Sequence, residues 1–122
     1  MKLKSNKILL TLPVVLLLLF SGYLLNETKP RYAQADTLAM CLRDKEVTMY
    51  GAYWCSHCKN QKDLLGDAFR FIPYVECTKD PQKCIENGIR GYPTWIFPGG
   101  ERLEGEQSLE KLAQTSKCPY SP

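Results

Sequence analysis

The sequence is organised around one stretch of nine residues, Tyr50-Gly51-Ala52-Tyr53-Trp54-Cys55-Ser56-His57-Cys58. A strand-like run over residues 47–52 leads into it, and a helical pattern over residues 55–71 follows. Two cysteines separated by two residues, where a strand gives way to a helix, are typical of a dithiol redox site. The stretch therefore predicts thiol chemistry at the start of a helix.

The spacing assigns different surroundings to the two cysteines. Cys55 falls at the helix N-terminus, where free N–H groups and the helix dipole favour a thiolate. Cys58 lies one turn further, seven residues before Leu65, on an apolar stripe that continues through Ala68, Phe69 and Ile72. Helical periodicity therefore predicts a buried Cys58 and an exposed Cys55. One attacking thiol and one resolving thiol is the arrangement that thiol–disulfide exchange needs.

Length and charge limit the possible functions. A chain of 122 residues predicts one small domain. Residues 1–35 carry five basic side chains and one acidic side chain, whereas residues 36–122 carry 11 basic and 12 acidic ones. This nearly neutral second part does not indicate nucleic-acid binding. Six cysteines in a short chain suggest an oxidising compartment.

The N-terminal residues resemble an export signal. A basic segment over residues 1–7 precedes an uncharged apolar run over residues 8–25, which Pro13 interrupts. This run is long for a signal peptide and just long enough for a membrane anchor, and Ala33-Gln34-Ala35 resembles a cleavage site. Cleavage and retention both stay open. Either way we expect residues 36–122 to be exported, to the periplasm or the thylakoid lumen.

The rest of the chain alternates helical and strand patterns. Asp36 is a candidate N-cap for a short helix in which Leu38, Cys41 and Leu42 share a face. Residues 74–77 predict a second strand. Asp80-Pro81 predicts the start of a helix over residues 81–87 that Gly88 ends.

The last third predicts a hairpin and a final helix. Residues 93–97 predict a third strand, and Gly99-Gly100 predicts a two-residue turn into a fourth strand over residues 101–103. Ser108 is the candidate N-cap of a last helix, with Leu109, Leu112 and Ala113 facing inward. The order αβαβαββα predicts one compact α/β domain over residues 36–122, preceded by a signal or anchor over residues 1–35.

Two motifs carry a family resemblance that covers residues 36–122. Trp54-Cys55-Ser56-His57-Cys58-Lys59, followed by Ile89-Arg90-Gly91-Tyr92-Pro93-Thr94, resembles the thioredoxin superfamily. That resemblance implies a thioredoxin-like fold, a central mixed four-stranded sheet flanked by helices. Residues 49–55, 74–77 and 91–95 are more narrowly similar to the thioredoxin-like domain associated with bacterial and plant homologues of vitamin K epoxide reductase. In that family the domain passes disulfides to exported proteins, and a quinone-linked membrane enzyme reoxidises it.

The resemblance implies roles for individual residues. Cys55 would be the nucleophile and Cys58 the resolving thiol. Pro93 would be a cis-proline facing the disulfide. Tyr92 would offer backbone groups to an extended substrate strand, with Thr94 completing the substrate-binding loop. One departure is Met49, which stands where many thioredoxins carry a buried acid that accepts a proton from the resolving thiol.

Two further side chains are candidates for tuning the site. His57, the only histidine, could donate to or pair with the Cys55 thiolate, which would stabilise the reduced form and make the disulfide more oxidising. The alternative is a solvated surface histidine. Trp54 is either a substrate-facing aromatic or a packing residue. We expect the other nearby aromatic residues to lie in the core, namely Tyr50, Tyr53, Trp95 and Phe97.

Four cysteines remain, and they allow three pairings. We favour Cys77–Cys84, which would join a strand end to the next helix, and Cys41–Cys118. In the chain-entropy model these would contribute roughly 2.5 and roughly 4.5 kcal/mol. A second redox pair at Cys77–Cys84 is an alternative. A zinc site is a weaker one, because the spacing of these two cysteines is poor for a zinc knuckle.

These observations leave three hypotheses for function. The first is an exported thiol–disulfide oxidoreductase that donates its disulfide to cysteine-containing proteins and is reoxidised by a vitamin K epoxide reductase-type membrane partner. The second is a reductase of specific exported proteins. The third is a binding or assembly factor without turnover. The sequence shows no metal, nucleotide or haem motif, so no cofactor is expected.

Overall fold

The computed structural model describes residues 6–24 and 31–121. The helices are α1 (Asn6–Leu24), α2 (Arg31–Asp44), α3 (Ser56–Leu65), α4 (Pro81–Glu86) and α5 (Leu109–Ser116). The strands are β1 (Thr48–Gly51), β2 (Tyr74–Glu76), β3 (Thr94–Ile96) and β4 (Arg102–Glu104), and 3₁₀ turns span Gly66–Phe71 and Pro98–Gly100. From α2 onward the order of helices and strands is the predicted αβαβαββα.

One mixed four-stranded sheet organises residues 31–121, as predicted. Its strand order is β2-β1-β3-β4, so β1 lies at the centre beside β2 and β3. β1 runs parallel to β2, with Met49 opposite Tyr74, and antiparallel to β3, with Met49 opposite Trp95. The central strand therefore delivers the Cys55 loop from the middle of the sheet.

The two faces of the sheet are covered unequally. Met49 faces the main core, where Leu38 and Leu42 of α2 and Leu112 of α5 are fully buried. Tyr50 faces a smaller cluster on the opposite side, because successive side chains of a strand point to opposite faces. Helix α5 contributes its predicted inward residues Leu109, Leu112 and Ala113, all buried.

Two disulfides cross-link the elements around the sheet. Cys41 of α2 is bonded to Cys118, which follows α5, with 5.9 Å between the Cα atoms. Cys77, directly after β2, is bonded to Cys84 of α4, with 5.8 Å between the Cα atoms. These are the two pairings that the sequence favoured.

The first helix of the domain is longer than predicted. Asp36 does not cap it, because α2 begins at Arg31 and Asp36 lies within it. Its carboxylate instead forms an ion pair with Arg70, with 2.8 Å between Oδ2 and Nη2. The predicted cap was therefore wrong, since a residue suited to capping is held here by a tertiary ion pair.

The predicted helix over residues 55–71 is two elements. Helix α3 ends at Leu65, where Gly66 takes a φ of 57°, a left-handed value that glycine adopts without a steric cost. A 3₁₀ turn continues to Phe71. The apolar stripe is nevertheless placed as expected, because Leu65, Ala68 and Ile72 are buried and Phe69 packs against the core.

Smaller boundaries also moved. The predicted two-residue turn at Gly99-Gly100 belongs to a 3₁₀ turn, and β4 begins at Arg102 rather than at residue 101. The predicted caps hold. Asp80 accepts from the backbone N of Lys83 at 3.2 Å, and Ser108 accepts from that of Lys111 at 3.1 Å.

The N-terminal helix α1 contains Pro13, and its side chains over residues 12–20 are exposed. Across the part of the chain that the structure describes, no helix is long and apolar enough to cross a membrane. Residues 1–5 of the predicted basic segment lie outside the described residues. The predicted cleavage motif at residues 33–35 lies inside α2.

Candidate active site

The loop between β1 and α3 positions the two reactive cysteines. Ala52 is buried at the end of β1, and its carbonyl accepts from the backbone N of Cys55 at 3.0 Å. This bond turns the chain so that Cys55 becomes the N-cap of α3, with φ −76° and ψ 114°. Cys58 then occupies the first turn of the helix.

A direct hydrogen bond links the two cysteines. Sγ of Cys55 accepts from the backbone N–H of Cys58 at 3.1 Å, as the side chain of an N-cap residue does. Both thiols are free of disulfides in the structure. Sγ of Cys55 therefore lies at the N-terminus of α3 with a backbone N–H donor aimed at it.

The expected difference in exposure is smaller than predicted. Cys58 is 1% exposed, but Cys55 is only 7% exposed and is therefore also buried. The prediction of an exposed Cys55 was wrong because helical periodicity does not include the loop over residues 89–92. That loop and residues 54–57 line a cleft of about 450 Å³, and Cys55 lies in its wall.

The environment of Cys58 keeps its thiol protonated. Burial above all, and then the hydrogen bond and charge of Cys55, raise the pKa of Cys58 to about 12. A backbone hydrogen bond from Ala52 and the positive charge of Lys62 act in the opposite direction without cancelling this rise. The site therefore joins a sulfur that caps a helix N-terminus to a buried neutral thiol.

Residues 89–92, from the second motif, form the opposite wall of the cleft. The Tyr92–Pro93 peptide bond is cis. The carbonyl of Pro93 accepts from the backbone N of Gly105 at 2.8 Å, and the Pro93 ring is fully buried. The loop is thus anchored to the residues that follow β4.

Two of the residues expected to bind substrate, Tyr92 and Thr94, lie in different places relative to the cleft. Tyr92 lines the cleft. Thr94 does not, because it is fully buried and its hydroxyl donates to the carbonyl of Gly91 at 2.8 Å. Its side chain therefore supports the loop from behind, and a substrate-binding role for Thr94 stays a prediction.

Trp54 and Tyr92 form an aromatic rim across the cleft. Their ring centroids are 5.8 Å apart and their planes meet at 76°, an edge-to-face contact. The Trp54 residue is 63% exposed, so the ring presents apolar area to solvent beside Cys55. Tyr53, expected in the core, is 77% exposed on the same loop, whereas Tyr50, Trp95 and Phe97 are buried as expected.

His57 contacts a different partner from the one predicted. Its Nδ1 lies 2.8 Å from Oε1 of Glu106, and its side chain is 69% exposed. The same carboxylate oxygen accepts from Nδ2 of Asn60 at 2.8 Å. The structure thus places the imidazole against Glu106 rather than against Cys55, and a tuning role for His57 stays a prediction.

Sequence reasoning missed a polar pair beside Cys58. The hydroxyl of Tyr74 donates to Oε2 of Glu76 at 2.8 Å. The other carboxylate oxygen of Glu76 accepts from the backbone N of Tyr53 and from the Thr78 hydroxyl, at 3.1 and 2.8 Å. Strand alternation, which sends Tyr74 and Glu76 to one face of β2, was the available signal.

A second missed residue is Gln61, which is buried one turn after Cys58. Its Nε2 donates to the carbonyl of Gln107 at 3.0 Å, and its Oε1 accepts from the backbone N of Gln107 at 2.7 Å. This pair of bonds joins α3 to the segment before α5. The signal was a glutamine on the stripe that also holds Cys58 and Leu65.

Metal binding finds no support within residues 6–24 and 31–121. No group of three His, Cys, Asp or Glu side chains there is placed to hold a metal ion. The arrangement can instead carry out thiol–disulfide exchange: attack or release at Cys55, resolution by Cys58, and an adjoining cleft for an extended chain.

Sequence relatives of this chain include a plant oxidoreductase and an archaeal thioredoxin. The thiol-disulfide oxidoreductase LTO1 of Arabidopsis thaliana is 40% identical over 89 residues, which cover 66% of this chain and 23% of LTO1. This chain therefore spans about a quarter of the length of that relative. The thioredoxin of Methanocaldococcus jannaschii is 24% identical over 78 residues, which cover 59% of this chain and 92% of that thioredoxin.

A solved structure shares the fold. The malarial protein whose structure is known superposes with a TM-score of 0.51 at 18% identity, over 58% of this chain and 91% of that chain. No family model matches the chain. The fold, the CxxC motif at a helix N-terminus and the cis-proline loop are thus found together in residues 31–121.

Proposed function

We propose that the chain is a protein thiol–disulfide oxidoreductase of the thioredoxin superfamily and that it acts through Cys55 and Cys58. One observation carries this proposal: Cys55 caps α3 and accepts the backbone N–H of Cys58, whose own side chain is buried. That geometry places Cys55 in the wall of the cleft, where a partner sulfur can reach it, and encloses Cys58 behind it. The arrangement suits exchange at Cys55 with Cys58 as the resolving thiol.

The proposed direction is donation of the disulfide to substrate proteins. A substrate thiolate attacks Sγ of Cys55, the Cys55–Cys58 bond breaks, and the electron pair leaves on Sγ of Cys58. A second substrate thiolate then attacks the substrate sulfur of the mixed disulfide and releases Cys55 as a thiolate. Because the hydrogen bond from Cys58 stabilises that thiolate, it stabilises the reduced form and makes the disulfide a better oxidant.

The cleft fits an extended substrate segment. Its walls are the Trp54–Tyr92 rim and the loop over residues 89–92, and Cys55 lies between them. Backbone groups of Tyr92 would align the incoming chain, and Trp54 would cover its apolar side chains. Because the cleft is open, we propose cysteine-containing proteins as substrates rather than one small molecule.

Export and reoxidation complete the proposal. The two structural disulfides, Cys41–Cys118 and Cys77–Cys84, favour an oxidising compartment such as the periplasm or the thylakoid lumen. Residues 1–35 would direct the chain there as a signal or an anchor. A vitamin K epoxide reductase-type membrane enzyme would reoxidise the dithiol, passing two electrons to a quinone.

Trapping the mixed disulfide tests the proposed activity. With Cys58→Ser, attack by Cys55 on a substrate disulfide is not resolved, so a covalent complex that dithiothreitol releases should accumulate. The matched variant Cys55→Ser should form none and should lose exchange activity. Activity that survives in Cys55→Ser, or the absence of any complex with Cys58→Ser, would contradict the proposal.

A further inference from the structure

Cys58 must gain a proton each time it leaves the disulfide, yet it is buried. Its sulfur becomes a thiolate when the Cys55–Cys58 bond breaks, and at 1% exposure it has almost no contact with water. A thiol with a raised pKa is also a poor leaving group, since lower pKa values leave faster. A proton donor beside Cys58 would relieve both difficulties.

Gly51 brings one candidate donor next to the sulfur. A Cβ at this glycine would lie 3.0 Å from Sγ of Cys58 and 3.1 Å from the hydroxyl oxygen of Tyr74. Both atoms thus border the space that the missing side chain leaves. Met49, directly opposite Tyr74 in the sheet, offers no proton from its own position.

The surroundings of Tyr74 fix its ring and keep its proton in place. The Lys62 ammonium lies 4.0 Å from the ring centroid, and Phe69 packs edge-on with 5.5 Å between centroids. Burial above all, then the hydrogen bond and charge of Glu76 and the charges of Cys58 and Cys55, raise the pKa of Tyr74. The phenol is therefore protonated at neutral pH.

Glu76 links this phenol to solvent. Its carboxylate accepts from Tyr74 on one oxygen and from the exposed Thr78 on the other. The titratable groups that face Cys58 and Tyr74 in the described structure are Cys55 and Lys62 on α3 and Glu76 on β2. Of these, Glu76 is hydrogen-bonded to the Tyr74 hydroxyl and reaches the surface.

We propose that the Tyr74–Glu76 pair is the proton relay of Cys58, with Tyr74 as the proton donor to the departing sulfur. As the Cys55–Cys58 bond breaks, the Tyr74 hydroxyl turns toward Sγ of Cys58 and gives up its proton. The Glu76 carboxylate then accepts a proton from water, passes it to the Tyr74 oxygen and is left ionised again. One solvent proton is thus delivered for each thiolate released, and the reverse route serves reoxidation.

The inference rests on the proposed disulfide donation, and one experiment separates the two. The oxidised full-length protein is reduced by dithiothreitol, and the rate is followed from pH 5 to pH 9 in H₂O and in D₂O. Tyr74→Phe keeps the ring but loses the hydroxyl, so we expect a rate about a hundredfold lower, the low end of the range of general-acid catalysis. The solvent isotope effect should disappear with it.

Two further variants make the result specific. Glu76→Gln should slow the same step, and the double variant Tyr74→Phe/Glu76→Gln should be no slower than Tyr74→Phe, because both residues serve one relay. The matched control is Tyr32→Phe on α2, whose side chain is exposed. If Tyr74→Phe does not fold, loss of the isotope effect in Glu76→Gln decides the question.

The contrary outcomes are distinct. A Tyr74→Phe protein with the wild-type rate and isotope effect across the pH range would overturn the relay and leave the proposed function standing. Independent, multiplying effects of Tyr74→Phe and Glu76→Gln would overturn it as well. A wild-type disulfide that reacts no faster than oxidised glutathione would instead overturn the proposed function.

Discussion

Nδ1 of His57 lies 2.8 Å from Oε1 of Glu106, across 49 residues of sequence. His57 lies between the two cysteines in the sequence, and this contact directs its imidazole toward the segment that follows β4. The hydrogen bonds from His57 and Asn60 lower the pKa of the Glu106 carboxyl, which favours its ionised form. The structure therefore places the imidazole of His57 on Glu106.

The contact between His57 and Glu106 predicts different effects of two substitutions on the reduction potential. His57→Ala should change the reduction potential of the Cys55–Cys58 couple by less than about 30 mV, a factor of about ten in the exchange equilibrium. Glu106→Gln should raise the potential, because it frees the imidazole to stabilise the Cys55 thiolate. Equilibration with glutathione measures both. A large fall in His57→Ala, with no rise in Glu106→Gln, would show that His57 already acts on Cys55.

Gly51→Ala should destabilise the domain and slow exchange. The added methyl group would lie 3.0 Å from Sγ of Cys58 and 3.1 Å from two atoms of Tyr74, so these neighbours must move. Overpacking of this kind costs about 1–3 kcal/mol in the free energy of unfolding. Urea denaturation measures the loss. Gly91→Ala is the matched control, since nothing lies within 4 Å of its added carbon, and equal losses in both variants would refute the crowding argument.

The two structural disulfides should contribute unequally to stability. They close loops with sequence separations of 77 and 7 residues. In the chain-entropy model, Cys41→Ala/Cys118→Ala should cost about 4.5 kcal/mol and Cys77→Ala/Cys84→Ala about 2.5 kcal/mol. Denaturation of the two double variants tests the order. A larger loss from the short loop would mean that local packing, rather than loop entropy, governs the contribution.

Glu76 should make folding sensitive to acid. Burial raises the pKa of this carboxyl, but hydrogen bonds from Thr78, Tyr74 and the Tyr53 backbone outweigh it and lower the pKa below 4.5. Its contribution is therefore present above about pH 4.5 and is lost as the pH falls through the lowered folded-state value. Glu76→Gln should lose stability at pH 7 but show a smaller further loss at pH 3. Urea titrations at both values test this, with the exposed Glu101→Gln as control, and identical pH profiles for Glu76→Gln and wild type would contradict it.

Local signals in the sequence predicted most of the fold. The strand-to-helix junction at Cys55, the caps at Asp80 and Ser108, and the apolar stripe through Leu65 are all short-range patterns, and the structure places them as expected. Gly66 ended α3 earlier than the stripe suggested, because an apolar period can continue through a 3₁₀ turn. Asp36 was misread because its partner, Arg70, is distant in sequence.

The unpredicted parts of the site depend on tertiary contacts. Glu106 reaches His57 only after β4 has paired with β3, and Tyr74 reaches Cys58 only through the parallel register with β1. The burial of Cys55 likewise depends on the loop that carries Tyr92, which is 37 residues away in the sequence. Periodicity within one element contains none of this information.

The reduction potential of the Cys55–Cys58 couple tests the central claim, that this site gives its disulfide away. The full-length protein would be equilibrated with glutathione buffers and the fraction of each form quantified after thiol alkylation. Donation of the disulfide to substrate proteins predicts a value near or above about −150 mV. A value near about −270 mV, typical of a reducing thioredoxin, would contradict disulfide donation and favour a reductase.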